Sequence, residues 1–123
     1  IGASGDTVSL ASGASQSGFG RSGSVDWQTS IKTSNFTAVS GEGYFINTTS
    51  GAVTMTLPAS PSVGDIVAFK DYAGTFDTNN LTVAANGSEK IVASTDDLTV
   101  STERAANTLV YTDSTQGWLL KNN

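Results

Sequence analysis

The sequence predicts an all-β fold, a sandwich or small barrel-like head of about nine or ten short strands behind an extended arm rich in glycine and serine. Two observations lead to this prediction. Apolar and polar residues alternate in short runs, and glycine, asparagine or proline interrupts these runs about every ten residues. No window shows the 3.6-residue period of an amphipathic helix. With 123 residues, the chain has the length of one ordinary domain.

The first 24 residues differ from the rest. They are mostly glycine, serine and alanine, and Val8 and Leu10 alternate with polar neighbours, which predicts one short strand. Two interpretations stay open for this segment. It is either a flexible linker, or an extended arm that neighbouring chains hold in order. The predicted organisation is therefore an arm at residues 1–24 and a β-sandwich-like head at residues 25–123.

Short apolar runs predict the strands of the head. The clearest one alternates apolar residues with threonine over residues 53–57 and ends at Pro58, which lacks the N–H that a strand ladder needs. The continuous apolar run 66–69 predicts a strand buried on both faces. Asn86-Gly87 predicts a hairpin turn that leads to a return strand at residues 91–92. Further strands are predicted at residues 27–33, 36–39, 44–48, 81–83, 98–100, 109–112 and 118–120.

The composition excludes several classes of chemistry. There is no cysteine and no histidine, so a Ser–His or Cys–His nucleophile pair and a zinc site with nitrogen or sulfur ligands are ruled out. The net charge is −5 and the six basic residues are scattered, which argues against nucleic-acid binding. No apolar run approaches the roughly 20 residues that span a bilayer, so no membrane insertion is expected. We expect no cofactor and no bound metal.

The carboxylates are the first candidates for catalysis. Most of them stand beside glycine, asparagine, serine or threonine in predicted turns, where an aspartate shapes the turn through its own side chain. A polysaccharide depolymerase would need two carboxylates in one cleft, for which Asp71 and Asp77 are the candidates. We favour the turn interpretation and predict that the chain is not an enzyme. The carboxylates considered are Glu42, Asp65, Asp71, Asp77, Asp96, Asp97, Glu103 and Asp113.

Aromatic residues are the candidates for binding. Core packing is the usual role of aromatic residues in strands, and we expect it for Phe45, Phe69 and Trp118. Tyr72 and Phe76 lie instead in the long polar loop predicted at residues 71–80. Because loops carry binding residues more often than strands do, these two are the candidate surface-binding residues.

Four stretches of the chain carry a family resemblance. They are VDWQTSIKT at residues 25–33, GEGYFINTTSGAVTMTLPASPSVGDIVAFKDYAGTF at 41–76, TNNLTVAANGS at 78–88 and TLVYTDSTQGWLL at 108–120. They resemble a β-rich module of tail fibres and other virion proteins of marine phages, cyanophages among them. The most specific part is TLPASPSVGD followed by DYAGTF. Residues 5–20 also resemble the Gly/Ser-rich segments that precede such modules in fibre shafts.

The resemblance implies a homotrimeric structural protein of the virion surface, or an extracellular one, with a role in host attachment. The implied partners are other copies of the chain, other virion proteins and a cell-surface glycan. The resemblance identifies no catalytic or binding residue in this chain. Three alternatives remain open: a head-to-tail filament that uses residues 1–24, a monomeric carbohydrate-binding module, and the depolymerase.

Overall fold

The computed structural model describes residues 25–121, in which nine strands form two sheets and no helix occurs. The prediction of an all-β fold is therefore confirmed. The predicted arm at residues 1–24 lies outside the described residues. The strands are β1 (Asp26–Trp27), β2 (Phe36–Thr37), β3 (Glu42–Ile46), β4 (Val53–Thr56), β5 (Ile66–Asp71), β6 (Leu81–Ala84), β7 (Leu98–Val100), β8 (Ala106–Tyr111) and β9 (Trp118–Leu120).

The chain alternates between the two sheets as it passes from β1 to β6. The five-stranded sheet has the order β1-β3-β5-β8-β9, and the four-stranded sheet has the order β2-β4-β6-β7. The pairs β1–β3, β3–β5, β2–β4 and β4–β6 are all parallel, whereas β7, β8 and β9 pair antiparallel. The first six strands thus wind as three coils of a two-sheet structure, and the last three strands complete its sheets.

Each sheet turns one face towards a single shared core. In the four-stranded sheet, Val53 and Met55 of β4 pair with Leu81 and Val83 of β6, and all four side chains are buried. Fully burying one such side chain stabilises the fold by about 1.5–3 kcal/mol. The five-stranded sheet contributes Tyr44, Ile46, Val67, Phe69, Leu109 and Trp118 to the same cluster.

The prediction of a return strand at residues 91–92 is wrong. Ile91 forms only isolated bridges, to Ser94 and to Trp118, and Val92 and Ala93 have φ values of 50° and 63°. This left-handed backbone cannot continue a strand. Strand β6 pairs with β7 instead. Asn86-Gly87 therefore lies in a longer connection between β6 and β7 and does not form a tight hairpin turn.

Candidate interaction surface

The loop after β5 is organised by the carboxylate of Asp71, which is completely buried. Its Oδ1 accepts hydrogen bonds from the backbone N–H groups of Gly74 and Thr75, at 2.9 and 3.1 Å. Its Oδ2 accepts from the N–H groups of Phe76 and Arg104, at 3.1 and 2.9 Å. The first three bonds fold residues 72–76 into a compact turn, and the fourth ties this turn to the loop before β8.

These bonds decide the charge of Asp71. Burial alone raises the pKa of the carboxyl, but the four backbone N–H groups stabilise the anion and bring the pKa below its ordinary value. An aspartate that stays ionised and whose oxygens are occupied by backbone donors is unsuited to act as a general acid. Asp71 therefore organises the turn, which agrees with the turn interpretation of the sequence.

The two predicted surface-binding residues have different surroundings. Phe76 is completely buried in the core, because the bond from its N–H to Asp71 draws the loop inward, and its ring lies 6.4 Å from that of Phe69. Tyr72 is half exposed, and its carbonyl accepts a hydrogen bond from Nη1 of Arg104. Tyr72 thus offers aromatic surface to a ligand whereas Phe76 offers none, and binding through Tyr72 stays a prediction.

The face of the five-stranded sheet that points away from the core is largely apolar. We call it the apolar outer face. Its residues alternate along each strand with the residues that point into the core. None of its large side chains belongs to the core cluster or packs against it. Its residues are Trp27, Gly43, Phe45, Ile66, Ala68, Lys70, Ala106, Thr108, Val110 and Leu119.

Two aromatic rings form the part of this face nearest to β1. Trp27 stacks on Phe45, with ring centroids 5.0 Å apart and an angle of 26° between the planes. Trp27 is 42% exposed although it is a large apolar side chain. The expectation that Phe45 packs in the core is wrong, because its neighbours Tyr44 and Ile46 occupy the inward positions of β3. Sequence reasoning did not single out Trp27 as a surface residue, and only the pairing of β1 with β3 reveals its position.

The outer face of the four-stranded sheet has a different chemistry. Thr54 of β4 lies beside Thr82 of β6, which lies beside Thr99 of β7. Thr37 of β2 pairs in the same way with Thr56 of β4. Neighbouring threonines pack well on a pleated surface and leave hydroxyl groups at the solvent. One outer face is therefore polar and uncharged, whereas the other is apolar.

A shallow open depression of about 450 Å³ lies elsewhere on the surface. Its lining consists of small side chains, and neither Tyr72 nor Phe76 contributes to it. A binding site for a small molecule is usually concave and apolar, with a few convergent polar groups, and this depression has no aromatic wall. The lining residues are Thr33, Ser34, Asn35, Ser50, Gly51 and Ala52.

Residues 25–121 contain neither a cluster of metal-ligating side chains nor a membrane-spanning helix. Within that range, no three carboxylates come together in a way that could hold a metal ion. The same residues contain no helix that is long and apolar enough to cross a membrane.

Comparison with known proteins places the chain among virus proteins. No curated protein sequence matches it. The family model described as "Bacteriophage T4 gp9/10-like protein, N-terminal" matches residues 1–118, which is almost the whole chain. This is a family of phage structural proteins, and the match agrees with the phage part of the resemblance seen in the sequence. The chain therefore belongs to the bacteriophage T4 gp9/10-like family and corresponds to its N-terminal part.

Proposed function

We propose that this chain is a homotrimeric structural module of a phage tail fibre, of the type found in marine phages, and that it contributes to host attachment at the virion surface. The family match over residues 1–118 supports the structural role. In this proposal residues 25–123 form the head, and residues 1–24 are an arm that contacts a neighbouring copy. The partners are other copies, other virion proteins and a cell-surface glycan.

The observation that carries self-assembly is the way both sheets end. The five-stranded sheet ends on β1 at one side and on β9 at the other, and the four-stranded sheet ends on β2 and on β7, so each sheet of residues 25–121 has two edges. The edges at β1 and β2 lie in the first coil of the head. An exposed edge presents unpaired backbone groups that can pair with another chain. Symmetric association of identical chains covers such edges.

The native mass of the full chain tests this proposal. Light scattering of the purified chain should give three times its mass of 12.6 kDa. Large open polymers would favour the head-to-tail filament, because a heterologous contact that does not close grows without limit. A monomer at every concentration would contradict the trimer and favour the monomeric carbohydrate-binding module.

Host attachment is tested separately at Tyr72, the half-exposed aromatic residue of the loop after β5. Several weak contacts on one particle produce strong attachment through effective concentration. Tyr72→Ala should therefore reduce the adsorption of the assembled protein to host cells. Val63→Ala is the matched control, since Val63 is an exposed apolar residue in another loop. Equal adsorption by the two variants would show that Tyr72 is not part of the attachment site.

A further inference from the structure

The apolar outer face forms a second apolar layer outside the core. Ala68 in the middle of the sheet is only 1% exposed, yet it is not part of the core cluster, because its side chain points to the other face. Next to it, Ile66 of β5 pairs with Val110 of β8, which pairs with Leu119 of β9. A row of large apolar side chains therefore crosses three strands.

The size of the face matches the central part of an interface. Its strands have two, five, six, six and three residues, and with about 3.3 Å per residue and about 4.8 Å between strands they cover roughly 350 Å². Apolar patches of a few hundred Å² on soluble proteins often mark interaction sites. The large apolar side chains of this face are either exposed, as Trp27 is, or half-buried, as are Phe45, Ile66, Val110 and Leu119. A standard interface covers about 800 Å² on each partner. This face therefore supplies less than half of one partner's share, and the loops that flank it supply the remainder of the contact.

The charge of the face indicates which surface it contacts. At the outward positions of its five strands there is one lysine, Lys70, and no carboxylate, and Lys121 follows β9 directly. The chain as a whole carries a net charge of −5. Two identical faces would bring like charges together, whereas an acidic surface complements this one. Among the described residues, one exposed carboxylate, Asp26, lies beside Trp27 in β1. The other exposed carboxylates lie outside this sheet, and they are Asp77, Asp96, Asp97, Glu103 and Asp113.

We infer that the apolar outer face of the five-stranded sheet binds a second copy of this chain, through a different and more acidic surface of that copy. This inference rests on the self-assembly in the proposed function and names a face that takes part in it alongside the sheet edges. A contact between two different surfaces is heterologous, and it closes into a ring such as a trimer when the rotation permits. Trp27 and Phe45 lie at one side of the contact, and Leu119 lies at the other.

The face is less suited to a glycan. Sugar-binding sites combine an aromatic ring with several convergent polar groups in a concave site. At the outward strand positions of this sheet, Lys70 and Thr108 are the only polar side chains, and Nζ of Lys70 already donates to the carbonyl of Arg104 at 2.6 Å. The apolar character of the centre is typical of a protein–protein contact.

Tryptophan fluorescence tests the inference directly in the full chain. The chain has two tryptophans, and only Trp27 is accessible, since Trp118 is completely buried. Acrylamide therefore quenches Trp27 in the free chain, and the Trp27→Phe variant confirms the assignment. In the assembled protein, contact through the apolar outer face should abolish this quenching, and dilution to the monomer should restore it.

A pair of lysine variants tests the same face. Val110→Lys puts a charge in the middle of the proposed contact, where burying it without a partner is costly. Assembly should then require an at least about tenfold higher chain concentration, which corresponds to about 1.4 kcal/mol. Thr82→Lys is the matched control, because Thr82 is a half-buried outward position on an inner strand of the other sheet. Circular dichroism verifies folding, and Leu119→Lys replaces Val110→Lys if that variant does not fold.

The outcomes separate this inference from the proposed function. An oligomer in which Trp27 stays quenchable, or in which Val110→Lys assembles as well as Thr82→Lys, overturns the inference and leaves self-assembly in place. A chain that is monomeric at all concentrations overturns both, since no second copy then covers the face. Shielding of Trp27 together with selective weakening by Val110→Lys supports the inference.

Discussion

The indole of Trp27 packs directly on the backbone of Gly43, its register partner in the parallel pair of β1 and β3. A Cβ atom at position 43 would lie 2.9 Å from Cε3 of the indole and 2.7 Å from Cγ2 of Val25. Such contacts are too short for a side chain. Gly43 is thus the residue that lets Trp27 lie close to the sheet and stack on Phe45.

The first prediction follows from this contact. Gly43→Ala should destabilise the fold by about 1–3 kcal/mol, the usual range for overpacking. The cost should be smaller in a Trp27→Ala chain, because one of the two crowded neighbours is then absent. A double-mutant cycle by urea unfolding measures the difference. Equal costs in both backgrounds would mean that the indole does not restrict position 43.

The second prediction concerns Asp71 and its four backbone donors. Asp71→Asn removes the charge and turns an amide N–H₂ group towards N–H groups, so it should cost about 2–3 kcal/mol of unfolding free energy at neutral pH. Asp77→Asn is the control, because Asp77 is exposed in the same loop and should change stability by less than about 0.5 kcal/mol. Urea unfolding of both variants provides the comparison.

The third prediction is the acid dependence that Asp71 produces. Its pKa is lowered in the folded state, so its contribution to stability is complete above the unfolded-state value of about 3.9. The contribution is lost as the pH falls through that value towards the lower folded-state pKa. The stability of Asp71→Asn should therefore decrease less between pH 5 and the acid range than that of the wild type. Parallel acid profiles would contradict this assignment.

The fourth prediction compares two glycines with positive φ. A Cβ on Gly117 would overlap the carbonyl of Lys90, which itself accepts the N–H of Trp118. Gly41 also has a positive φ, of 90°, but a Cβ there would meet no atom within 4 Å. Gly41→Ala should cost about 1–2 kcal/mol from backbone strain alone. Gly117→Ala should lower the free energy of unfolding clearly more than Gly41→Ala does, and thermal unfolding of both variants measures the difference. Equal losses would show that the backbone near Lys90 shifts easily.

The fifth prediction concerns Tyr44 at high pH. Burial, together with the hydrogen bond it donates to Oε1 of Glu42 and the charge of Glu42, raises its pKa from 10.0 to about 12, although the N–H of Val39 opposes this shift. The stability that comes from the protonated hydroxyl is complete below pH 10 and is lost as the pH rises through about 12. Tyr44→Phe should remove the tyrosinate absorbance step near pH 12, whereas Tyr72→Phe should leave it in place.

The sequence by itself indicated most of the strands and a phage structural protein. Strand β9 lies at residues 118–120 as predicted, and in β4 the threonines alternate with buried Val53 and Met55 as the period of two requires. These features are local, because successive side chains on a strand point to opposite faces whatever the strand pairs with. The run from Ile66 to Phe69 likewise predicted a strand with little exposure on either face, and β5 has that character.

Only the tertiary structure decided which strands pair and which face becomes the core. The parallel pairing of β3 with β5 joins segments more than twenty residues apart, and nothing local indicates it. Tyr44 and Phe45 are adjacent aromatic residues, so alternation shows that their side chains point to opposite faces of the sheet. It does not show which of the two points into the core. Likewise, Phe76 is buried because Asp71, five positions earlier, accepts its N–H. The opposite sheet and the bonds across loops make these choices, and both arise only when distant parts of the chain meet.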